Sequence, residues 1–373
     1  MKKLLKGNRD LFLFIFILFV IWKLVLYVVE YFSKYIILNP QFTGLIPWAN
    51  FDGEHYLNIA KYGYGIYQQA FFPLFPLLIK FFSLFFMGNY ILSALFIVHV
   101  SLLISLIFLY KLASMDFKTD TVKWTLIFLL FFPTAFFLGS IYTESLFLAF
   151  VFSSFYFMRR QKFTLTSILI GFASATRIIG IFLLIPLLLE FYLSRIKNVS
   201  NLKSYLLNFL SFTLISSSGV LAYMIYLWVN YQDSFLFIHT QPAFGAERSG
   251  GEIILLPQLF FRYVKILTTL NPLTHNYLIA LLEIIIFSAF LLLLMLFRKN
   301  IRFSYVLFSL FAIIVPTFSG TLSSMPRYTL VVFPIFILLA RIKKTVYKLL
   351  LLTILSILLI ILTSFFLRGY FIA

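Results

Sequence analysis

A short polar segment, Trp48 to Tyr56, holds the residues of this chain that are best suited to chemistry. It reads Trp-Ala-Asn-Phe-Asp-Gly-Glu-His-Tyr, so Asp52, Glu54 and His55 lie within four positions. Carboxylates and imidazoles are side chains that commonly move protons in enzymes. Acidic groups beside a membrane-spanning helix are costly unless they have a use. This segment is therefore the first candidate site.

Asp52 also has a purely structural interpretation. On a helix that starts near Phe51, Asp52, His55 and Tyr56 share one face. Asp is among the best residues at the capping position of a helix, so capping is the alternative to chemistry. The two roles are compatible, because a cap fixes the backbone while a neighbouring carboxylate remains available.

A second acid, Glu144, follows the segment Pro-Thr-Ala-Phe-Phe at 133–137. The predicted topology places Glu144 at the outer end of a tight helical hairpin, level with Asp52. Its structural alternative is an acid in the first turn of a helix, which the macrodipole favours. The position that it shares with Asp52 favours a functional role.

Two arginines complete the set. Arg177 lies within a long apolar stretch, where a charge costs at least ~2.5–3.5 kcal/mol on insertion scales; it either pairs with an acid such as Glu144 or binds an anion. Arg327 follows Pro326, which stops the preceding helix, and precedes Tyr328. Arginine can hold a phosphate with two parallel hydrogen bonds. The alternative for Arg327 is snorkelling to the membrane interface beside a tyrosine.

The elements that position these residues are predicted to be membrane helices. The 373 residues include 50 Phe and only 11% charged residues, and the mean hydropathy is +1.02. Apolar runs long enough to cross a bilayer recur along the chain. The absence of cysteine excludes disulfides, thiolate metal sites and thiol nucleophiles. No P-loop, G-x-G-x-x-G turn or Ser-His-Asp arrangement is present, and the histidines lack metal-ligand spacing.

The net charge of +18 indicates the membrane topology of the chain, and a nucleic-acid partner is not predicted. Most Lys and Arg lie in short clusters between apolar runs, which the positive-inside rule places in the cytoplasm. The clusters are 2–9, 111–123, 159–162, 195–203, 298–302 and 341–348.

A consistent topology has about eleven spans, with the N-terminus in the cytoplasm and the C-terminus outside. The spans are predicted at 11–31, 90–110, 124–140, 143–158, 164–177, 178–193, 205–229, 277–297, 303–321, 328–341 and 347–367. Segment 71–87 is expected to lie along the membrane, because a further span there would move every later basic cluster outside.

The chain 1–373 is interpreted as a single transmembrane domain with two large outer segments. The first, 32–89, holds the Asp52 motif and two predicted interfacial helices, at about 52–62 and 71–87. The second covers 230–276.

Four sets of residues, in order, together resemble one family. They are Trp48…Asp52-Gly53-Glu54-His55-Tyr56, Phe71-Phe72-Pro73-Leu74-Phe75-Pro76, Pro133-Thr134-Ala135-Phe136-Phe137…Tyr142-Thr143-Glu144, and Thr176-Arg177…Gly180 with Pro326-Arg327-Tyr328. The combination, over roughly 48–334, looks like the PIG-V-like mannosyltransferases, relatives of the enzyme that adds the second mannose to GPI anchors. That family belongs to the GT-C glycosyltransferases, multispanning enzymes that use lipid-phosphate sugars.

The resemblance implies an inverting transfer of mannose from a polyprenyl-phosphate-mannose donor to a lipid-linked or other acceptor at the outer face. Asp52 matches the loop acid and would be the general base. Arg327, or else Arg177, would stabilise the donor phosphate. The remaining substrate-binding residues would be Glu54, His55, Tyr56, Glu144 and Tyr328. No metal and no cofactor are expected with a monophosphate donor.

This chain departs from the family in reading Asp-Gly-Glu-His-Tyr, where relatives often have another aromatic or small polar residue before the tyrosine. The role of His55 is therefore left open. A composition rich in Lys, Ile, Phe and Asn predicts a prokaryotic plasma membrane without GPI anchors. The acceptor is then a glycolipid, a polyprenyl-linked glycan or a protein.

Three other functions are compatible with parts of the sequence. A GT-C transferase could use another lipid-phosphate sugar, such as glucose or aminoarabinose. A flippase or transporter for lipid-linked sugars predicts charged residues near the bilayer midplane, where only Lys23, His99 and Glu283 lie. A non-catalytic scaffold would explain the spans but not the acids and Arg327 at one face.

Overall fold

The protein is helical throughout the part that the structure describes. The computed structural model describes residues 2–38, 40–41, 44, 46–195 and 202–372, with only the backbone course for 2–10, and no strand occurs among them. The predicted basic cluster at 2–9 and most of the cluster at 195–203 lie outside the described side chains.

The α-helices of the described residues follow the apolar runs. They are Lys2–Ile36 (α1), Asp52–Tyr62 (α2), Leu74–Ser83 (α3), Tyr90–Ala113 (α4), Thr119–Leu130 (α5), Glu144–Arg159 (α6), Phe163–Thr176 (α7), Leu184–Arg195 (α8), Leu202–Tyr231 (α9), Leu236–His239 (α10), Leu256–Thr269 (α11), His275–Phe297 (α12), Phe303–Thr317 (α13), Met325–Tyr328 (α14), Phe333–Ala340 (α15) and Thr345–Leu367 (α16).

Six helical segments of the described chain are long and apolar enough to cross a membrane. They are Leu11–Ile36, Tyr90–Ala113, Ile178–Arg195, Leu202–Tyr231, His275–Asn300 and Thr345–Leu367. Three shorter apolar helices add Leu74–Phe86, Phe163–Thr176 and Phe303–Thr317. The predicted class, an all-α polytopic membrane protein, is confirmed, while the count of eleven spans stays a prediction.

One predicted span is interrupted, and another begins with a 3₁₀ segment. The span at 124–140 ends as an α-helix at Leu130, and a 3₁₀ turn follows at Ala135–Leu138. The break surrounds Pro133, which lacks an N–H and disfavours helix in the residue before it. The span at 178–193 starts with a 3₁₀ turn, Ile178–Leu183, because the backbone is extended at Arg177 (φ −155°, ψ 144°).

By its internal contacts the chain forms two compact units. The first unit contains residues up to 57, 79–156 and 336–372, and the second contains 58–78 and 157–335.

In the first unit, α1 packs on α4 and α16, and α4 packs on α5. Its core includes a cluster of rings around Phe366, near the end of α16. The centroids of Phe136 and Phe137 lie 5.0 and 5.2 Å from that of Phe366, and Tyr142 lies 4.8 Å from Phe137. These rings come from the residues just before Glu144, so the core fixes the approach to α6.

In the second unit, α7 and α9 make the most extensive helix pair. Small residues allow the backbones to approach closely: a Cβ placed on Gly219 would lie 2.1 Å from the carbonyl oxygen of Gly171. Ser174 donates a hydrogen bond to the Ser216 carbonyl oxygen at 3.2 Å. Without a hydrophobic driving force between helices in lipid, this close packing provides much of the stabilisation.

Candidate active site

The segment that carries Asp52 is bonded to the segment that carries Glu144. The Ile141 N–H donates to the Trp48 carbonyl oxygen at 2.8 Å, and the Tyr142 hydroxyl donates to the Asn50 carbonyl oxygen at 2.7 Å. A Cβ on Gly53 would lie 3.1 Å from the Ile141 carbonyl oxygen. The two sequence motifs thus form one substructure in the first unit.

A strained residue directly precedes the Asp52 helix. Phe51 has a φ of +61°, which is uncommon for a bulky residue and costs of order 1–3 kcal/mol. Its ring is held against Phe366 and Phe371, at centroid distances of 6.3 and 5.5 Å. The neighbouring Asn50 donates to the Phe366 carbonyl oxygen at 2.8 Å. These contacts maintain the sharp turn from which α2 starts.

Asp52 is the first residue of α2, and Phe51 holds the position before the helix. Asp52 therefore lies in the first turn, where the macrodipole favours a carboxylate, and the capping position belongs to Phe51. Asp52, Glu54 and His55 are half-buried, whereas Tyr56 is buried.

The environment of His55 keeps its imidazole neutral. Burial lowers the pKa of His55 below its usual value of 6.5, and the nearby carboxylates of Asp52 and Glu54 oppose that shift only in part. A neutral imidazole offers one donor and one acceptor. His55 can therefore donate a hydrogen bond to a ligand hydroxyl or accept one from it at neutral pH.

Glu144 is the first residue of α6, and its side chain is buried, with 3% of its surface exposed. The residues on both sides are fixed, because Tyr142 is bonded to Asn50 and the Ser145 hydroxyl donates to the Leu138 carbonyl oxygen at 2.6 Å. The backbone around Glu144 is thus held before any ligand binds.

In the second unit, both candidate arginines contact one tyrosine. The guanidinium carbon of Arg177 lies 4.8 Å from the centroid of the Tyr328 ring, and that of Arg327 lies 5.3 Å from the same centroid. Arginine binds aromatic faces through cation–π attraction and stacking. The two arginines were predicted as alternatives for the phosphate role, whereas the structure brings both to Tyr328.

The local backbone explains how each arginine reaches this ring. Arg177 leaves α7 in an extended conformation, and its N–H still donates to the Ala173 carbonyl oxygen at 3.0 Å. A Cβ on Gly180 would lie 2.3 Å from the Ala173 carbonyl carbon, so only glycine fits there. Arg327 follows Ser324, which has a φ of +70° and accepts a hydrogen bond of 3.3 Å on its hydroxyl from Arg327.

Segment 230–276 holds the loop that leads to Arg327. The Tyr263 hydroxyl donates to Glu283 at 2.6 Å and accepts from the Leu322 N–H at 2.9 Å. Arg248 donates to the Ser323 hydroxyl at 3.2 Å. Arg262 likewise donates to the Gly320 carbonyl oxygen at 2.8 Å. These bonds fix successive residues of 320–323.

The role of these residues in holding the loop was not predicted from the sequence. Glu283 could have been recognised from the sequence, since an acid within an apolar helix is costly unless it is partnered. Tyr263 could not have been recognised, because a single hydroxyl on an amphipathic helix is common. Only folding places α11 beside the loop.

The candidates thus form one group in each unit. Asp52, Glu54, His55, Tyr56 and Glu144 belong to the first unit, and Arg177, Arg327 and Tyr328 to the second. Among the residues that the structure describes, no group of three or more His, Asp or Glu could hold a metal ion.

Comparison with known proteins yields structural likeness only. Neither a protein-family model nor a curated protein matches this sequence. The resemblance to PIG-V-like mannosyltransferases therefore stays an expectation.

Among solved structures, the chain is similar to oligosaccharyltransferase from Archaeoglobus fulgidus. Against the crystal structure tethered with an acceptor peptide, the TM-score is 0.45 at 14% identity, over 94% of this chain and 55% of that chain. Against the complex with Zn and sulfate, the TM-score is 0.41 at 13% identity, over 93% of this chain and 53% of that chain. Against AglB from the same organism with an inhibitory peptide and a dolichol-phosphate, the TM-score is 0.42 at 13% identity, over 94% of this chain and 56% of that chain. This chain spans about half the length of those chains.

Proposed function

We propose that this chain is a membrane glycosyltransferase of the GT-C type that transfers mannose, with inversion, from polyprenyl-phosphate-mannose to a lipid-linked or other glycan acceptor. The observation that carries the proposal is the bonding of the Asp52 and Glu144 segments into one substructure. Two acids far apart in sequence are thereby held in fixed positions, as catalysis by positioned groups requires.

In the proposed reaction Asp52 is the general base. Its carboxylate takes the proton from an acceptor hydroxyl as that oxygen bonds to the anomeric carbon of the sugar. The bond from that carbon to the phosphate oxygen breaks, and its electron pair leaves with the polyprenyl phosphate. Because this leaving group is a stable anion, it needs no proton, unlike the alkoxide of a glycoside hydrolysis. General-base catalysis of this kind supplies about 10²–10⁴-fold.

Arg327 and Arg177 would bind the departing phosphate. Two guanidinium groups at one tyrosine ring repel each other, and an anion between them would relieve that repulsion. Charge-assisted bonds to the phosphate oxygens would strengthen as negative charge develops there. Tyr328 would keep both planar groups oriented.

The other polar groups would position hydroxyls. Glu144 and Glu54 would accept hydrogen bonds from sugar or acceptor, and neutral His55 would donate or accept. Tyr56 belongs to the same substrate-binding set. We place the site at the outer face of a prokaryotic plasma membrane with a cytoplasmic N-terminus, where donor and acceptor lipids are both available.

The experiment measures transfer of labelled mannose from polyprenyl-phosphate-mannose into the lipid and protein fractions of membranes. Wild type is compared with Asp52→Asn and with the control Asp233→Asn, an acid of the second outer segment that pairs with His239 at 2.6 Å. Transfer by wild type and Asp233→Asn, and none by Asp52→Asn, is the expected result.

Two other outcomes would change the proposal. Undiminished transfer by Asp52→Asn would remove Asp52 from the base role. Failure of wild type with mannose would lead to a screen of other lipid-phosphate sugars. Failure with all of them, together with movement of the lipids across the bilayer, would favour a flippase.

A further inference from the structure

Lys23 is a charged residue that the proposed reaction does not use. It lies in the middle of the apolar segment Leu11–Ile36 of α1, and only 8% of its surface is exposed. An ammonium group at such a depth is costly, and intramembrane charges usually mark function. A membrane span alone would be better served by an apolar side chain at this position.

The Lys23 ammonium is enclosed by aromatic rings. It lies 5.9 Å from the ring centroid of Trp22, 4.9 Å from that of Tyr27 and 5.2 Å from that of Trp48. Trp22 and Tyr27 are its own neighbours on α1, whereas Trp48 begins the Asp52 motif. Cation–π attraction is stronger when the cation is desolvated, so Lys23 holds the face of the Trp48 indole.

A second residue of α1 holds the edge of the same indole. Glu30 lies two turns after Lys23, on the same side of the helix. It accepts a hydrogen bond of 2.8 Å from Trp48 Nε1. A cation on the face and a carboxylate at the edge together fix both the position and the rotation of the Trp48 ring.

Trp48 transmits this constraint to the site. Its carbonyl oxygen accepts the bond from Ile141 that joins the two acid-bearing segments. Lys23 also meets the second segment directly, since a Cβ on Gly139 would lie 3.4 Å from Lys23 Nζ. Lys23 is therefore next to both segments.

We propose that Lys23 is a positioning residue, which orients Trp48 and through it the Trp48–Asp52 segment. The catalytic consequence rests on the proposed function, while the orientation of the segment does not. Asp52 starts α2 only four residues after Trp48. A small rotation of the indole would therefore move the carboxylate away from the acceptor hydroxyl.

If Lys23 served only the stability of the fold, its removal would lower the melting temperature. Replacing a charge within an apolar span by an apolar side chain of similar length removes the cost of holding that charge out of water. If Lys23 serves position, Lys23→Met will keep or raise the melting temperature and still lose activity. Stability and activity then change independently.

The test compares Lys23→Met, Lys23→Arg and the control Lys34→Met with wild type in detergent. Lys34 lies on the same helix, is exposed and lies over two rings of α1, at 4.7 Å from Tyr31 and 5.2 Å from Tyr35. The readouts are melting temperature, kcat and KM for the lipid-phosphate sugar, and hydrogen–deuterium exchange of the peptide 46–54.

For Lys23→Met we expect an unreduced melting temperature, faster exchange at 46–54 and a kcat lower by about 10-fold or more, with KM nearly unchanged. In Lys23→Arg, the exchange at 46–54 and kcat should both return most of the way to the wild-type values, because guanidinium also binds aromatic faces. Lys34→Met should match wild type. If Lys23→Met does not fold, Trp48→Phe tests the same link, since it removes the bond to Glu30 and reduces the aromatic face that Lys23 covers. It should also raise the exchange and lower kcat.

Unchanged exchange at 46–54 in both Lys23→Met and Trp48→Phe would overturn the inference, whichever sugar is transferred. A lower melting temperature that Lys23→Arg does not restore would also overturn it, in favour of a structural role. If wild type transfers no sugar but Lys23→Met speeds the exchange, the positioning role stands and the proposed function fails.

Discussion

The N–H of Ile141 and the carbonyl oxygen of Trp48 are joined by a hydrogen bond of 2.8 Å. This bond links the turn before Asp52 to the turn before Glu144. Gly53 packs closely against the same Ile141, because a Cβ added to Gly53 would lie 3.1 Å from the Ile141 carbonyl oxygen. The acids of the two motifs are thus supported by a shared backbone. Changes at one motif are expected to affect the other.

Replacing Arg327 by Lys tests the phosphate site. The variant keeps the charge but loses the planar fork that can make two bonds. Loss of one charge-assisted hydrogen bond, worth about 1.5–3 kcal/mol, predicts a KM for the lipid-phosphate sugar that is roughly 10–100-fold higher. Steady-state kinetics on Arg327→Lys, Arg177→Lys and the control Arg298→Lys, an exposed residue of the basic cluster 298–302, provide the measurement.

The ranking of the two arginines follows from the same data. An unchanged donor response in Arg327→Lys together with a defect in Arg177→Lys would transfer the role to Arg177. Defects in both would support joint binding at Tyr328. A defect equal to theirs in Arg298→Lys would show that the effect is not local.

His55 predicts a pH dependence of stability. Burial holds the pKa of His55 below its usual 6.5 in the folded protein, against the opposing carboxylates of Asp52 and Glu54. Between the folded pKa and 6.5 the unfolded state binds more protons, so the free energy of unfolding falls as the pH falls through that window. His55→Gln does not titrate and should lack this contribution.

The measurement is the melting temperature of wild type and His55→Gln in one detergent, from about pH 7.5 to 5. Wild type should lose stability relative to His55→Gln as the pH falls. A difference between the two that stays constant with pH would refute the assignment of a lowered pKa.

The contact of α7 with α9 predicts a strong effect of Gly219→Ala. The added Cβ would lie 2.1 Å from the Gly171 carbonyl oxygen and 2.6 Å from the Ala175 nitrogen. Backbone atoms cannot move aside cheaply, so we expect a loss of about 1–3 kcal/mol, as for overpacked cores. Thermal unfolding in detergent measures it.

Gly63→Ala is the matched control for that variant. No atom lies within 4 Å of its Cβ position, and only the φ of +85° opposes a side chain. The free energy of unfolding of Gly63→Ala should therefore fall only by the backbone strain, about 1–2 kcal/mol. A melting temperature for Gly219→Ala above that of Gly63→Ala would contradict the close approach of the helices.

Tyr263→Phe tests the support of the Arg327 loop. The variant keeps the ring but removes the bonds to Glu283 and to the Leu322 N–H. Leaving these buried groups unsatisfied costs about 1–3 kcal/mol, and a looser loop should raise the donor KM.

The control is Tyr277→Phe, on the same helix as Glu283, because the Tyr277 hydroxyl makes no side-chain hydrogen bond within the described part of the chain. Melting temperature and donor KM are measured for both variants. Equal values for the two would mean that Tyr263 does not hold the loop.

The order and ends of most helices could be predicted from the sequence. Apolar runs between basic clusters predicted α4, α9, α12 and α16 to within a few residues, since burial in lipid requires a continuous helix with its backbone bonds satisfied internally. The same reasoning failed at 124–140, where Pro133 interrupts a helix that hydropathy alone would continue. At 178–193 it agrees with the segment Ile178–Arg195, which is long and apolar enough to cross a membrane.

Residue types and spacing also singled out every candidate from Asp52 to Tyr328, because charges at the margins of apolar runs are rare. Which of them share a substructure was decided only by the tertiary structure. The bond from Ile141 to Trp48, the shared ring of Tyr328 and the enclosure of Lys23 by Trp48 all join residues that are distant in sequence or lie on separate elements. Periodicity describes one helix at a time, whereas these contacts depend on how helices pack and where strained turns direct the chain.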